Sequence, residues 1–341
     1  MAKRKRKWAF GFVIAGALAA GAAYLGYREL MGPSTRFAEE SRVLLIPTGS
    51  DLRTALDSLK RMEAIHDEHA AELLLKRGTI KPGRYRVKKG RSLRAIARML
   101  HAGEQEPVRI TFSNVDHLHD LAGRLGRALE PDSVAFLKAF LDPDQQREAG
   151  LSDATMISLF LPNTYELWWT TTPEQFIARM RKEHVAFWNA SRREQLAALK
   201  LSAAEASTLA SIVQAETVKM ADAPTIAGVY LNRLRIGMPL QADPTLKFAL
   251  GTGEVQRLLN RDKEVDSPYN TYRYTGLPPG PINMPEPRFI DAVLSAPKHE
   301  YLYFCARADL SGYSDFARTY EQHLVNARRY QKALNARKIY R

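Results

Sequence analysis

The stretch from Leu201 to Glu216, LSAAEASTLASIVQAE, constrains the fold more than any other part of the chain. Ser202 and Glu205 stand in capping-box spacing, which satisfies orphan amides at a helix start. Leu209, Ile212 and Val213 then form one apolar stripe, and Glu216 falls on that stripe at i+7. A carboxylate on the core-facing side of a helix is costly unless it is paired, hydrogen bonded or held neutral. Two readings of Glu216 stand open at this level. One is a structural carboxylate bonded to backbone or to an arginine. The other is a general acid whose pKa is raised by a partly apolar cleft.

Residues 8–27, Trp8 to Tyr27, carry no charged side chain, and Lys3-Arg-Lys-Arg-Lys7 precedes them. Twenty such positions suffice to cross a bilayer, and Trp8, Tyr24 and Tyr27 lie where interfacial aromatics are expected. The positive-inside rule puts residues 1–7 in the cytoplasm and the rest beyond the membrane. Tyr24-Leu-Gly-Tyr-Arg28 is a poor cleavage site, so an uncleaved anchor is favoured over a signal peptide. Of the formal charge of +13, five belong to that basic tail, leaving +8 dispersed over the remainder. Dispersed charge without stacking aromatics argues against nucleic acid as a partner. The one cysteine, Cys305, cannot form an intramolecular disulfide and reads as packed core.

The rest reads as α+β. Residues 28–41 form a short linker. Residues 42–112 form a small module, with strands at 43–46, 84–87 and 108–112 and helices at 51–61, 66–76 and 92–100. Residues 113–341 make a larger, mostly helical domain. Its aromatic run Leu159–Trp169 fits either a buried segment or the wall of a sugar cleft. His117 and His119 lack the helical spacing of a zinc site, so no metal is expected. A helix from Pro224 has Ile226, Val229, Tyr230 and Leu234 on one face and Arg233 and Arg235 at its C-terminal end. The segment from Arg261 to Glu286 is a long loop stiffened by prolines, and loops of that length are commonly functional. Tyr301–Cys305 reads as a core strand, and Asp315 to the end as one long helix with Phe316, Tyr320, Leu324 and Ala327 inward.

Several of these segments together resemble the endolytic murein transglycosylases (MltG, YceG-like). They are LASIVQAET at 209–217, IAGVYLNRLRIGMPLQADPT at 226–245, SPYNTY at 267–272, GLPPGPI at 276–282 and YLYF at 301–304. LPNTY at 161–165 and KPGRY at 81–85 also fit the family pattern. The resemblance implies an α+β protein with a single N-terminal transmembrane helix, a LysM-like module and a lytic transglycosylase catalytic domain. It implies a lyase that cuts nascent peptidoglycan strands between N-acetylmuramic acid and N-acetylglucosamine, leaving 1,6-anhydro ends and ending strand growth. Glu216 matches the family's catalytic glutamate. Asn232, Gln241, Asp243, Thr245, Tyr269, Asn270 and Tyr272 are the candidate substrate-binding residues. No cofactor is implied, and the partners are glycan strands and peptidoglycan synthases (penicillin-binding proteins). The implied location is the inner membrane, with the catalytic domain periplasmic. Two departures stand out: Gln214 where many members have an acid, and Tyr313 where a histidine is common. A non-catalytic, membrane-tethered peptidoglycan binder or cell-wall scaffold is the rival reading.

Overall fold

The computed structural model describes residues 2–113, 115–251 and 258–337. The chain divides into two compact units.

The first unit takes residues 1–110 together with 128–131 and 166–172. Its elements are α1 (Ala2–Met31), β1 (Ser41–Ile46), α2 (Leu52–Arg61), α3 (Glu68–Leu75), β2 (Gly83–Lys88), α4 (Leu93–Ala102) and the start of β3 (Val108–Phe112). The strands β1 and β2 pair antiparallel, with Leu44 opposite Tyr85. Gly83, Tyr85 and Val87 alternate inward along β2, as period-two side chains must. Asp51 and Ser92 cap α2 and α4 by accepting from Thr54 N and Ala95 N. Their buried faces close over Tyr85 and Val87 with Leu59, Ile96 and Leu100. Each such side chain contributes about 1.5–3 kcal/mol through burial.

Residues 28–41 are not a free linker. Met31 still belongs to α1, Ser34 donates to Ala64 O at 2.6 Å, and Phe37 is a core residue. An aromatic ring within reach of an apolar core inserts into it, whatever the polarity of its flanks. Among the described residues no single helix is long and apolar enough to cross a membrane. The side chains of residues 8–13, within the expected span, lie outside those described.

The second unit takes residues 111–127, 132–165 and 173–341. It begins with α5 (Leu118–Ala128), α6 (Ser133–Phe140) and α7 (Pro143–Ala149), followed by β4 (Asn163–Leu167). Next come α8 (Pro173–Phe187), α9 (Ala190–Leu199), α10 (Ala203–Glu216), α11 (Ala223–Arg235) and α12 (Asp243–Ala249). The unit closes with α13 (Pro287–Leu294), β5 (Tyr303–Ala306), β6 (Ser314–Ala317) and α14 (Tyr320–Ala336). Helix α10 is the centre of this unit and packs on α11 and α13. Leu209, Ile212 and Val213 of α10 meet Ile226 and Tyr230 of α11 and Ile290 and Val293 of α13. Gly228 lets α11 come close to the His299 ring, because a Cβ there would stand 2.4 Å from Nε2.

Of the two readings open for the run Leu159–Trp169, burial holds for Phe160, Leu161, Tyr165 and Leu167, and the Tyr165 hydroxyl donates to Leu161 O, while Trp168 is exposed. Two expectations are corrected here. Residues 314–317 are a strand, not the start of a helix. The positive φ of Gly312 turns the chain so that β6 pairs with β5, and α14 starts only after its cap Thr319. Cys305 is half-buried on that two-stranded hairpin, because a two-stranded sheet cannot enclose both its faces. The last four residues of the chain lie outside those described.

Candidate active site

The helix carrying Glu216 is fixed at both ends. At its start the capping box is complete: Glu205 N donates to Ser202 Oγ, and Ser202 N to Glu205 Oε2. At its end Thr217 leaves helical geometry at φ −111° and ψ 137°, so Glu216 is the final helical residue. The proline-rich loop is tied to the same helix. Ile282 N donates to Ser211 Oγ at 3.0 Å, Asn283 Nδ2 to Ser211 O at 3.1 Å, and Glu286 N to Gln214 Oε1 at 2.7 Å. Gln214 both accepts from backbone and donates Nε2 to Asn283 Oδ1 at 3.4 Å, a pair of roles that suits an amide and not a carboxylate.

Glu216 sits where two cavities meet. The smaller, of about 350 Å³, is shared with Tyr230, Arg233, Gln241, Asp243, Tyr272, Tyr303 and His323. The larger, of about 520 Å³, runs along the β5–β6 hairpin past Cys305, Arg307 and Tyr313 to Tyr330 on α14. Phe304 lines both. The residue as a whole keeps some contact with solvent, but its carboxyl group is enclosed. That burial, with the negative charge of Asp243 nearby, raises its pKa to about 7. The Tyr230 hydroxyl, which donates to Oε1 at 3.2 Å, and the charges of Arg233 and Lys247 pull the other way without cancelling the rise. A carboxyl that titrates at neutrality can give up a proton and take one back in one cycle.

The other candidates separate into two groups. Gln241, Asp243 and Tyr272 share the smaller cavity with Glu216, and the Tyr272 hydroxyl donates to Asp243 Oδ1. Asp243 makes no cap on α12, so its carboxylate serves this contact rather than the turn. Asn232, Thr245 and Asn270 spend their polar groups inside the protein. Asn232 Nδ2 donates to His299 O and Tyr301 O, and Asn270 Nδ2 to Lys263 O and Val265 O. Thr245 meets the Thr271 hydroxyl at 2.8 Å and donates to Ala242 O. Thr245 and Asn270 are fully buried, so they hold the two cleft loops together instead of facing the cavity. Tyr269 packs on Phe248 with ring centres 4.7 Å apart and planes tilted by 47°, half-buried at the edge of the core.

Arg233 stands in the last turn of α11, where the sequence places it, and the fold makes it a buried member of the cleft lining, which the sequence does not show. It is 7% exposed, donates to Leu302 O at 2.7 Å and Leu240 O at 2.6 Å, and lies over the Tyr303 ring at 5.3 Å. Burial lowers its pKa from the usual arginine range. Its position three residues after Tyr230, on the same helical face, was the signal available. Tyr303 and His323 stack at 5.5 Å in the same cavity, and burial lowers the His323 pKa. His117 and His119 stack on each other, and no cluster of three or more metal-ligating side chains occurs among the described residues.

Glu216, with its pKa raised to about 7, thus lines two adjoining cavities whose walls carry aromatic side chains. The chain belongs to the YceG-like family, whose model matches residues 44–329. It is 28% identical to an endolytic murein transglycosylase of Bacillus subtilis (strain 168), over 92% of each chain. It is 26% identical to an endolytic murein transglycosylase of Streptococcus pneumoniae serotype 2, covering 88% of this chain but 61% of that longer protein. Among solved structures, a yceG-like protein from Listeria monocytogenes superposes with a TM-score of 0.58 at 28% identity. That match covers 84% of this chain and 98% of the other.

Proposed function

We propose that this protein is a peptidoglycan lytic transglycosylase in which Glu216 is the single general acid and base. The observation that carries the reading is the enclosed Glu216 carboxyl, with its pKa near 7, at the junction of two cavities that together can seat a polymer on both sides of one bond. The protonated carboxyl gives its proton to the glycosidic oxygen as the bond to C1 of N-acetylmuramic acid breaks. Positive charge then develops at C1, where the fixed negative charge of Asp243 stabilises it. Glu216, now a carboxylate, takes the proton of the sugar's own C6 hydroxyl, whose oxygen closes on C1. The products are a 1,6-anhydro end and a free 4-hydroxyl on N-acetylglucosamine, and Glu216 is again protonated. Because the nucleophile belongs to the substrate, its effective concentration is high, and neither an enzymic nucleophile nor an activated water is required.

The same reading makes residues 8–27 a membrane anchor, with residues 1–7 cytoplasmic and the cleft outside the membrane. Residues 42–112 become a LysM-like glycan-binding module, and cutting within nascent strands ends their growth. Asp243 also offers a specific second reading, because two neighbouring carboxylates are the equipment of a hydrolase that activates water. Product analysis by mass spectrometry, with the full-length protein in detergent and purified glycan strands, separates the outcomes. Anhydro ends support the transglycosylase. Reducing ends assign Asp243 a role in water activation and overturn the ring closure. Retained but uncut strands leave a binding protein.

A further inference from the structure

A third cavity, of about 360 Å³, lies beside the cleft. The segment from Gln214 to Val218 is the wall between them: Glu216 faces the cleft, its neighbours Ala215 and Thr217 face the side cavity, and Val218 lines both spaces. The floor of the side cavity is rigid, because Gln214 and Asn283 are bonded to the loop and to α10. Its lining carries two carboxylates, Asp116 and Glu286, and one guanidinium, Arg288, which is paired with Glu286. Asp116, exposed at the rim, makes no side-chain hydrogen bond or ion pair among the described residues. Arg288 lies over Phe289 and uses Nε on Glu286 at 2.8 Å, while its two Nη groups make no further hydrogen bond or ion pair among the described residues.

Resting on the transglycosylase reading, we propose that this cavity binds the peptide stem of the muramic sugar being cut. Asp116 receives the amine of the stem's diamino acid, and Arg288 receives a stem carboxylate. The stem leaves the sugar at C3, separated by C2 from the C1 that reacts at Glu216. Val218 borders both the cleft and the side cavity, so a peptide leaving the sugar on that side enters the side cavity past Thr217 and Val218. A polar, two-signed cavity suits a zwitterionic peptide, whereas a bare sugar chain carries no charge to pair with either group.

The test compares glycan strands bearing tetrapeptide stems with strands stripped of them by an amidase, using the full-length enzyme in detergent. The wild type is expected to show kcat/KM about tenfold higher on stem-bearing strands. Asp116→Asn and Arg288→Gln each reduce that ratio toward unity by raising KM for the stem-bearing substrate. Equal cleavage of both substrates by the wild type, or an equal loss on both in the variants, overturns the proposal. Calorimetric titration with the free tetrapeptide, and with the same peptide acetylated on its side-chain amine, reads the site without catalysis. Binding that is weakened by the acetyl group and by each substitution supports the site even if neither strand is cut, an outcome that would overturn the enzyme reading alone. Absence of peptide binding overturns the site.

Discussion

The Tyr230 hydroxyl on α11 donates to Glu216 Oε1 on α10 across 3.2 Å. Tyr230 is fully buried, and burial with the nearby Glu216 charge raises its own pKa well above the phenol range, so it is a donor at every working pH. A hydrogen bond given to a carboxylate favours the charged form. Tyr230 and Asp243 therefore act on Glu216 in opposite senses, and the acid's pKa near 7 is their balance on top of burial.

Removing the donor tips that balance upward. Tyr230→Phe is expected to move the alkaline limb of the pH–rate profile to higher pH by roughly half a unit to one unit. It costs about 1 kcal/mol of stability through the lost hydrogen bond. A pH–rate series on glycan strands checks the first effect and urea unfolding the second.

Removing the neighbouring charge tips it downward. Asp243→Asn keeps the shape and an acceptor for Tyr272 but takes away the anion, so the Glu216 pKa falls toward that of an ordinary glutamate. The alkaline limb then moves to lower pH, and less of the acid is protonated at pH 7. The opposite signs of these two shifts, measured in the same buffers, test whether Glu216 is the group that titrates.

The same raised pKa is a statement about stability. The folded protein holds the Glu216 proton more tightly than the unfolded chain does. That contribution is complete below the unfolded pKa and is lost as pH rises through about 7. Glu216→Gln has nothing to lose there. It is expected to be more stable than wild type at pH 8 by on the order of 2–3 kcal/mol and nearly equal to it at pH 5, read by thermal unfolding at both.

Arg233 holds the cleft wall from inside. Its guanidinium joins α11 to the Leu240 carbonyl before α12 and to the Leu302 carbonyl before β5. Arg233→Met leaves both carbonyls without that donor and is expected to lower stability by about 2–4 kcal/mol. Lysine, a point charge without the fork, recovers only part of it. Urea midpoints of the two variants give the comparison.

Much of the helical framework was legible because its signals are local. The capping box at Ser202, the stripe through Val213 and the proline at the start of α11 each act within one or two turns, and all three stand where the sequence places them. The exposure of Cys305 and the extent of β6 were not legible, because they depend on a hairpin partner supplied by the turn at Gly312. Phe37 looked like linker for the same reason: its core lies in residues far along the chain. Within the site, residue type announced polar groups but not their direction. Asn270 and Asp243 are equally plausible ligands in sequence, yet one is turned into a loop and the other into the cavity. Only the fold assigns those directions.

The most direct test of the central claim is the rate at which 1,6-anhydro ends appear on glycan strands with full-length wild type and with Glu216→Gln, both folded by circular dichroism. A single carboxyl that serves as both acid and base predicts a loss of about 10³-fold or more in kcat for the glutamine variant, with strand binding retained. A variant that forms anhydro ends within about tenfold of wild type would contradict the account, and would move the proton transfer to another group in the cleft.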